Sequence, residues 1–240
     1  MRFAIIDNRM SEELVNALSS YVDKIIKLPA HPLLPSPVAS HPDMLLWIYG
    51  KLVVTYKDYI SLAMDTFELL ENLGYTIIAH SESPDAQYPR DVALNCALVG
   101  KRIIANERYM SDKIKDIAKQ NELQTVNVNQ GYAKCSTVIV SDNAIITSDP
   151  SIARAATAAD IDVLKIRPYY VSLYGYDTGF LGGASGCTET EVIFCGDLVS
   201  HPDADLIKCF CLNHGKRAVS LGNAPLYDYG TVFFVNNEED

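Results

Sequence analysis

Short apolar runs, each broken by a glycine or an Asx pair, succeed one another along the chain and alternate with segments of helical spacing. The clearest unit opens with the apolar run 44–49, turns at Gly50-Lys51 and returns over 52–56. A two-residue hairpin turn needs positive φ, which Gly supplies. Leu62, Ala63, Met64, Phe67, Leu69 and Leu70 then recur at helical intervals as far as Gly74, and a strand is expected over 75–79. The next unit repeats the order: a strand over 92–98, a turn at Gly100-Lys101, a strand over 102–105, a helix around 113–118 and a strand over 124–128. A third pairs 136–140 with 144–147 across Asp142-Asn143, again with positive φ expected at the turn. Asp149-Pro150 then opens a helix as N-cap and first helical residue. In a fourth, 191–194 is expected to pair with 198–200 across Gly196-Asp197, with Ser200 and Asp203 as a capping pair for the helix that follows.

The fifth unit is split between the ends of the chain. A strand over 231–235 comes last, while a strand over 2–6, a helix around 12–21 and a strand over 24–27 come first. The strand–turn–strand–helix–strand order thus recurs roughly every 40–55 residues, in the range of blade-type repeats. The fold expected is α/β: a five-bladed ββαβ propeller over residues 1–240 as a single domain, closed by pairing of the first and last strands. Closure removes the sheet edges that invite aggregation. An open doubly wound sheet is the competing architecture, and it leaves the split unit without a reason.

Composition narrows the function classes. Of 240 residues, 48% are hydrophobic, enough to bury a core without disulfides. The net charge of −10, with Lys and Arg scattered and Glu238-Glu239-Asp240 at the end, disfavours a nucleic-acid partner. No apolar run reaches membrane-spanning length, and the N-terminus meets Asp7 too early for a secretory signal, so a cytoplasmic location is expected. The cysteines, Cys96, Cys135, Cys187, Cys195, Cys209 and Cys211, have no paired C-x-x-C spacing, and neither a metal nor a cofactor is called for. Most are expected to be buried small hydrophobes. His31, His80 and His214 have no partner spacing and are expected on the surface or in loops, and the Pro29–Pro37 stretch as a rim loop.

Five such units closed by the termini resemble the pentein fold, shared by arginine deiminase, dimethylargininase, agmatine deiminase, the amidinotransferases and a non-catalytic translation initiation factor. Tyr88-Pro89-Arg90-Asp91 is similar to an aromatic-x-Arg-Asp stretch of the deiminases, which implies that Asp91 binds a substrate guanidinium. The Gly-rich segment 179–186 is similar to loops near their catalytic centre. His41-Pro42-Asp43-Met44, Gly131-Tyr132-Ala133-Lys134-Cys135 and Gly182-Gly183-Ala184-Ser185-Gly186 also resemble segments of an uncharacterised bacterial pentein-like family. There are departures. Where the deiminases carry His-x-Asp and the nucleophilic Cys, this chain reads Ser185-Gly186-Cys187-Thr188 and Asp228-Tyr229-Gly230-Thr231.

In such a ring the first strand of each unit starts at the axis, which gathers Asp43, Asp91, Cys135, Cys187 and Tyr229, with His41, Lys134, Ser185 and Asp228 beside them. Paired carboxylates hold a guanidinium bidentately, a Cys thiolate attacks its carbon, and a His moves the protons. The candidate catalytic residues are Cys135, His41 and Asp91, with Cys187 as the other thiol. The candidate substrate-binding residues are Asp43, Arg90, Lys134, Gly183, Ser185 and Asp228. Lys134 is expected to lower the Cys135 pKa if the side chains meet, and the amides of 182–186 to approach a ligand carboxylate. Each also has a plainer reading: His41-Pro42-Asp43 as a turn before a strand, Asp91 as a partner for Arg90, Cys135 as a buried thiol, the Gly-rich loop as a tight connection. His201-Pro202-Asp203 reads as helix capping. Two functions stand side by side: a hydrolase or transferase acting on a small guanidine-containing molecule, and a non-catalytic pentein that binds a small ligand or a protein partner.

Overall fold

The middle strand of every unit is apolar on both faces, and burial explains why. In the computed structural model, which describes residues 2–236, each of these strands has an antiparallel neighbour on one side and a parallel one on the other. Continuous runs such as Val53-Val54, Ile103-Ile104, Ile145-Ile146 and Ile193-Phe194 are accordingly fully buried. The acidic run 238–240 lies outside the described residues.

In chain order, β1 (Arg2–Asp7), α1 (Glu12–Leu18) and β2 (Lys24–Leu28) come first, and a short helix α2 (Pro42–Leu45) precedes the second unit. That unit is β3 (Leu46–Tyr49), β4 (Leu52–Tyr56), α3 (Lys57–Leu62), α4 (Met64–Asn72) and β5 (Thr76–His80). The third is β6 (Ala97–Val99), β7 (Arg102–Ala105), α5 (Asp112–Gln120) and β8 (Gln124–Asn127). The fourth is β9 (Thr137–Ser141), β10 (Ala144–Thr147), α6 (Pro150–Ala158) and β11 (Asp162–Lys165). The fifth is β12 (Ser185–Cys187), β13 (Glu191–Phe194), α7 (Ala204–Asn213) and β14 (Arg217–Ser220), and β15 (Phe233–Asn236) ends the described chain. They form five three-stranded sheets, and β15 joins the sheet of β1 and β2, with Arg2 opposite Asn236.

Apolar clusters bridge sheet to sheet. Phe3 and Ile5 share a cluster with Val53 and Ile103, Ile104 with Ile145, Val138 with Phe194, and Ala4 and Ile6 with Ile193 and Cys195. Gly186 sits so close to Val232 that a Cβ there would lie 2.8 Å from its carbonyl oxygen, which lets β12 and the start of the last strand pack backbone to backbone.

Several local expectations are corrected. Gly50 and Gly100 adopt positive φ, but Asp142 and Asn143 do not. The chain still reverses at 142–143, and the ladder beside it carries a register shift between Ala144 and Ile145. The strand expected over 92–98 begins only at Ala97, because 92–96 turns to bring Asn95 inward. Residues 198–200 form a 3-10 turn, and the antiparallel partner of β13 is β12. Asp149 caps α6 as expected, accepting from the Ser151 and Ile152 amides. Asp203, by contrast, makes no cap bond; its carboxylate grips Arg167, with N–H···O distances of 2.8 Å from the backbone and 2.9 Å from Nε. His31 and His80 are buried, the first against the Tyr56 and Tyr59 rings and the second 3.0 Å from the Ser111 hydroxyl. Among the described residues no helix is long and apolar enough to cross a membrane.

Candidate functional site

The turn of α2, the loops before β9 and β12, and the segment entering the last strand meet in a buried polar centre. Pro at the first helical position of α2 sets its turn and carries Asp43 inward, where its amide donates to the Gly230 carbonyl at 2.9 Å. Cys135 follows. Its sulfur lies 3.2 Å from Asp43 Oδ2, and Asn95 Nδ2 donates to it at 3.0 Å. Asn95 organises the surroundings: Oδ1 accepts from the Lys134 and Cys135 amides, and Nδ2 reaches the Asp43 carbonyl. The Thr231 hydroxyl joins Asp43 Oδ2 at 2.8 Å to Lys134 Nζ at 2.9 Å.

A second group adjoins the first. The His41 ring lies between Asp7 (Nε2 to Oδ2, 3.6 Å) and Asp228 (Nδ1 to Oδ1, 3.9 Å). Gly230 packs against His41 so closely that a Cβ would sit 2.1 Å from the His41 Cβ. Asp7 accepts from Ser40 Oγ and from Arg9. Asp228 accepts from the Phe180 and Gly230 amides. Asp91 stands further along, taking a 2.6 Å bond from the Tyr132 hydroxyl, and Tyr132 packs against Phe180 and Tyr88.

Charge in this setting is governed by burial. Burial raises the Asp228 and Asp91 carboxyls, and Asp43 adds to the effect on Asp228. Burial lowers Lys134. The Cys135 thiol is pushed well above its ordinary value, first by burial and then by the Asp43 and Asp228 carboxylates. Lys134 does not overcome these, so the expected lowering of the thiol is corrected: burial and the two carboxyls raise it instead.

The polar neighbours of the Cys135 sulfur are thus Asn95 and Asp43, while His41 faces Asp7 and Asp228. Arg90 stands apart, exposed and 3.4 Å from Asp85. The Gly-rich loop supplies packing. The amides of Gly183, Ala184 and Ser185 already donate to the carbonyls of Cys135, Phe180 and Gly182, and a Cβ on Gly183 would lie 2.0 Å from Asp228 Oδ1. Ser185 Oγ donates to the Gly182 carbonyl. Cys187, half-buried, has Lys216 Nζ 3.3 Å away; burial still raises its thiol although Lys216 opposes this. Asn95, Asp7 and Thr231 were not singled out by sequence. Asn95 left one signal, a lone amide inside an apolar run.

The model of DUF6873, a family of unknown function, matches residues 5–233. The chain belongs to that family. No curated protein matches it. Solved structures similar to this DUF6873 chain include DDAH from Pseudomonas aeruginosa, a mutant complexed with citrulline, at 10% identity and TM-score 0.55 over 91% of both chains. Another is the substrate-bound N-terminal domain of ArgZ, a cyanobacterial arginine dihydrolase, at 9% identity and TM-score 0.59, covering 94% of this chain and 92% of that one. C. jejuni agmatine deiminase matches at 6% identity and TM-score 0.54, over 92% and 87%. At such identities the likeness is one of fold, and the DUF6873 fold is the pentein fold.

Proposed function

We propose that the five sheets close into a five-bladed ring through the β1–β15 pair, and that its carboxylate centre takes a small guanidinium compound for hydrolysis or amidino transfer. One observation carries this reading. Asp43 and Asp91 each keep a buried carboxylate oxygen, Oδ1, with no hydrogen-bond donor, and a planar cation with several N–H groups satisfies such oxygens. The similar solved structures, described with citrulline, arginine and agmatine in their names, support the same ligand class.

A cation seated beside Asp43 offsets the field that holds the Cys135 thiol up, so the ligand itself promotes the thiolate. The thiol proton passes to Asp43 Oδ2, 3.2 Å from the sulfur, and the sulfur adds to the guanidinium carbon. Collapse breaks a C–N bond, the departing amine takes the proton back from Asp43, and a thiouronium remains on Cys135. Water discharges it in a hydrolase and a second amine in a transferase. A second reading, non-catalytic binding at the same carboxylates, is favoured by the raised thiol and by His41 facing carboxylates.

Incubation with L-arginine, agmatine and Nω-methylarginine, with release of ammonia, methylamine and urea measured, tests both. Turnover by the native chain and none by Cys135→Ser is expected. Thermal stabilisation by a guanidine without turnover selects the binding reading. Neither effect with any of the three overturns both.

A further inference from the structure

A cavity of about 460 Å³ is lined from the first strand of every sheet: Trp47 of β3, Leu98 of β6, Ile139 of β9, Cys187 of β12 and Phe233 of β15. Its volume falls within the roughly 300–1,000 Å³ of small-molecule sites. Cys135, Asp43, His41, Asp91 and Asp228 do not line it, so it is separate from the carboxylate centre. The two meet at Lys134 and Thr231, which face the cavity on one side and Asp43 on the other.

Lys134 decides what the cavity accepts. Lys134 is only 5% exposed. Nζ bonds the Thr231 hydroxyl at 2.9 Å and the Thr137 carbonyl at 3.5 Å, which uses two of the three donors of an ammonium. Asp142 lines the same cavity but makes no ion pair with Lys134 among the described residues. An ammonium removed from water calls for an anion; Asp43 reaches Lys134 only through the Thr231 hydroxyl, and the walls beside it include the aromatic and aliphatic side chains of Trp47, Ile48, Leu98, Ile139, Phe233 and Phe234.

We propose that this cavity is a second binding site, for a small carboxylic acid whose aryl or branched alkyl body fills the apolar walls and whose carboxylate pairs with Lys134. The site does not depend on the guanidine reading. Its ligand contacts the Lys134–Thr231–Asp43 chain of hydrogen bonds, so occupancy is felt at Cys135.

The probe is 3-phenylpropionate, with 3-phenylpropionamide as the neutral isostere. Binding to the full chain is measured by calorimetry, and iodoacetamide labelling is followed residue by residue by mass spectrometry. The acid is expected to bind about tenfold more tightly than the amide, the worth of one charge-assisted bond. It is also expected to slow labelling of Cys187 severalfold and leave Cys209, which is exposed and outside the lining, unchanged. Ile139→Trp fills the cavity without altering Lys134 and abolishes both effects, and Lys134→Met removes the preference for the acid. Equal affinity for acid and amide, binding that leaves Cys187 unprotected, or no binding by the native chain would each overturn the proposal. The guanidine reading is scored by turnover at Cys135, so the two fail separately.

Discussion

Thr231 holds φ at +74°, a conformation that costs a non-glycine residue about 1–3 kcal/mol and is especially unfavourable for a β-branched one. The cost is offset by its hydroxyl, which joins Asp43 to Lys134. Thr231→Val keeps the strain and leaves two buried partners short of a bond, so a loss of about 1–3 kcal/mol is expected in urea unfolding. Thr231→Gly relieves the backbone while losing the same hydroxyl, and is expected to be the less destabilised of the two. A valine variant as stable as native would show that the hydroxyl carries no weight. At Cys135, the raised thiol should label with iodoacetamide far more slowly than exposed Cys209 at neutral pH. Addition of a guanidinium ligand should speed it. Asp43, Lys134 and Cys135 are recognisable in the sequence as chemistry-bearing types. Their arrangement is not: Cys135 meets Asp43 directly and Thr231 joins Asp43 to Lys134, between residues that lie far apart in the chain.

Local signals fared according to how local their physics is. Asp149 caps α6 with backbone amides two and three residues on, and the sequence alone identifies it. Partial burial disfavours its charge, but the Ile152 and Ser151 donors outweigh this and hold its pKa below the usual range. A depressed carboxylate contributes stability above the unfolded-state value near 4, and that contribution fades as pH falls through the lower folded-state value. Asp149→Ala should therefore cost about 1 kcal/mol at neutral pH, and the gap from native should shrink in acid. A gap that widened below pH 4 would contradict the cap. Asp203 shows the opposite case. It stands where a cap belongs, yet Arg167, thirty-six residues away, offers a better partner. The same competition moved the fourth hairpin. Residues 198–200 carry strand-like side chains, but the buried Ser185–Cys187 segment takes the place beside β13.

Because Arg2 lies opposite Asn236, the two ends of the described residues are neighbours. Joining them with a short Gly-Ser linker and opening the chain at Tyr174-Gly175, where Tyr174 is largely exposed, should give a permutant with native circular dichroism and cooperative thermal unfolding. A molten permutant would argue against a ring held by the β1–β15 pair. The order of units, the middle strands and most helices were legible along the chain, since hydrophobic period and turn residues act over a few residues. The pentein resemblance came from that order rather than from any catalytic motif. Which carboxylates meet which thiol, how far burial shifts each of them, and where a cavity remains open depend on how five sheets pack. Those are long-range matters: a pKa follows from the charges and the solvent around a group in space, and neither is written in the residues beside it in sequence.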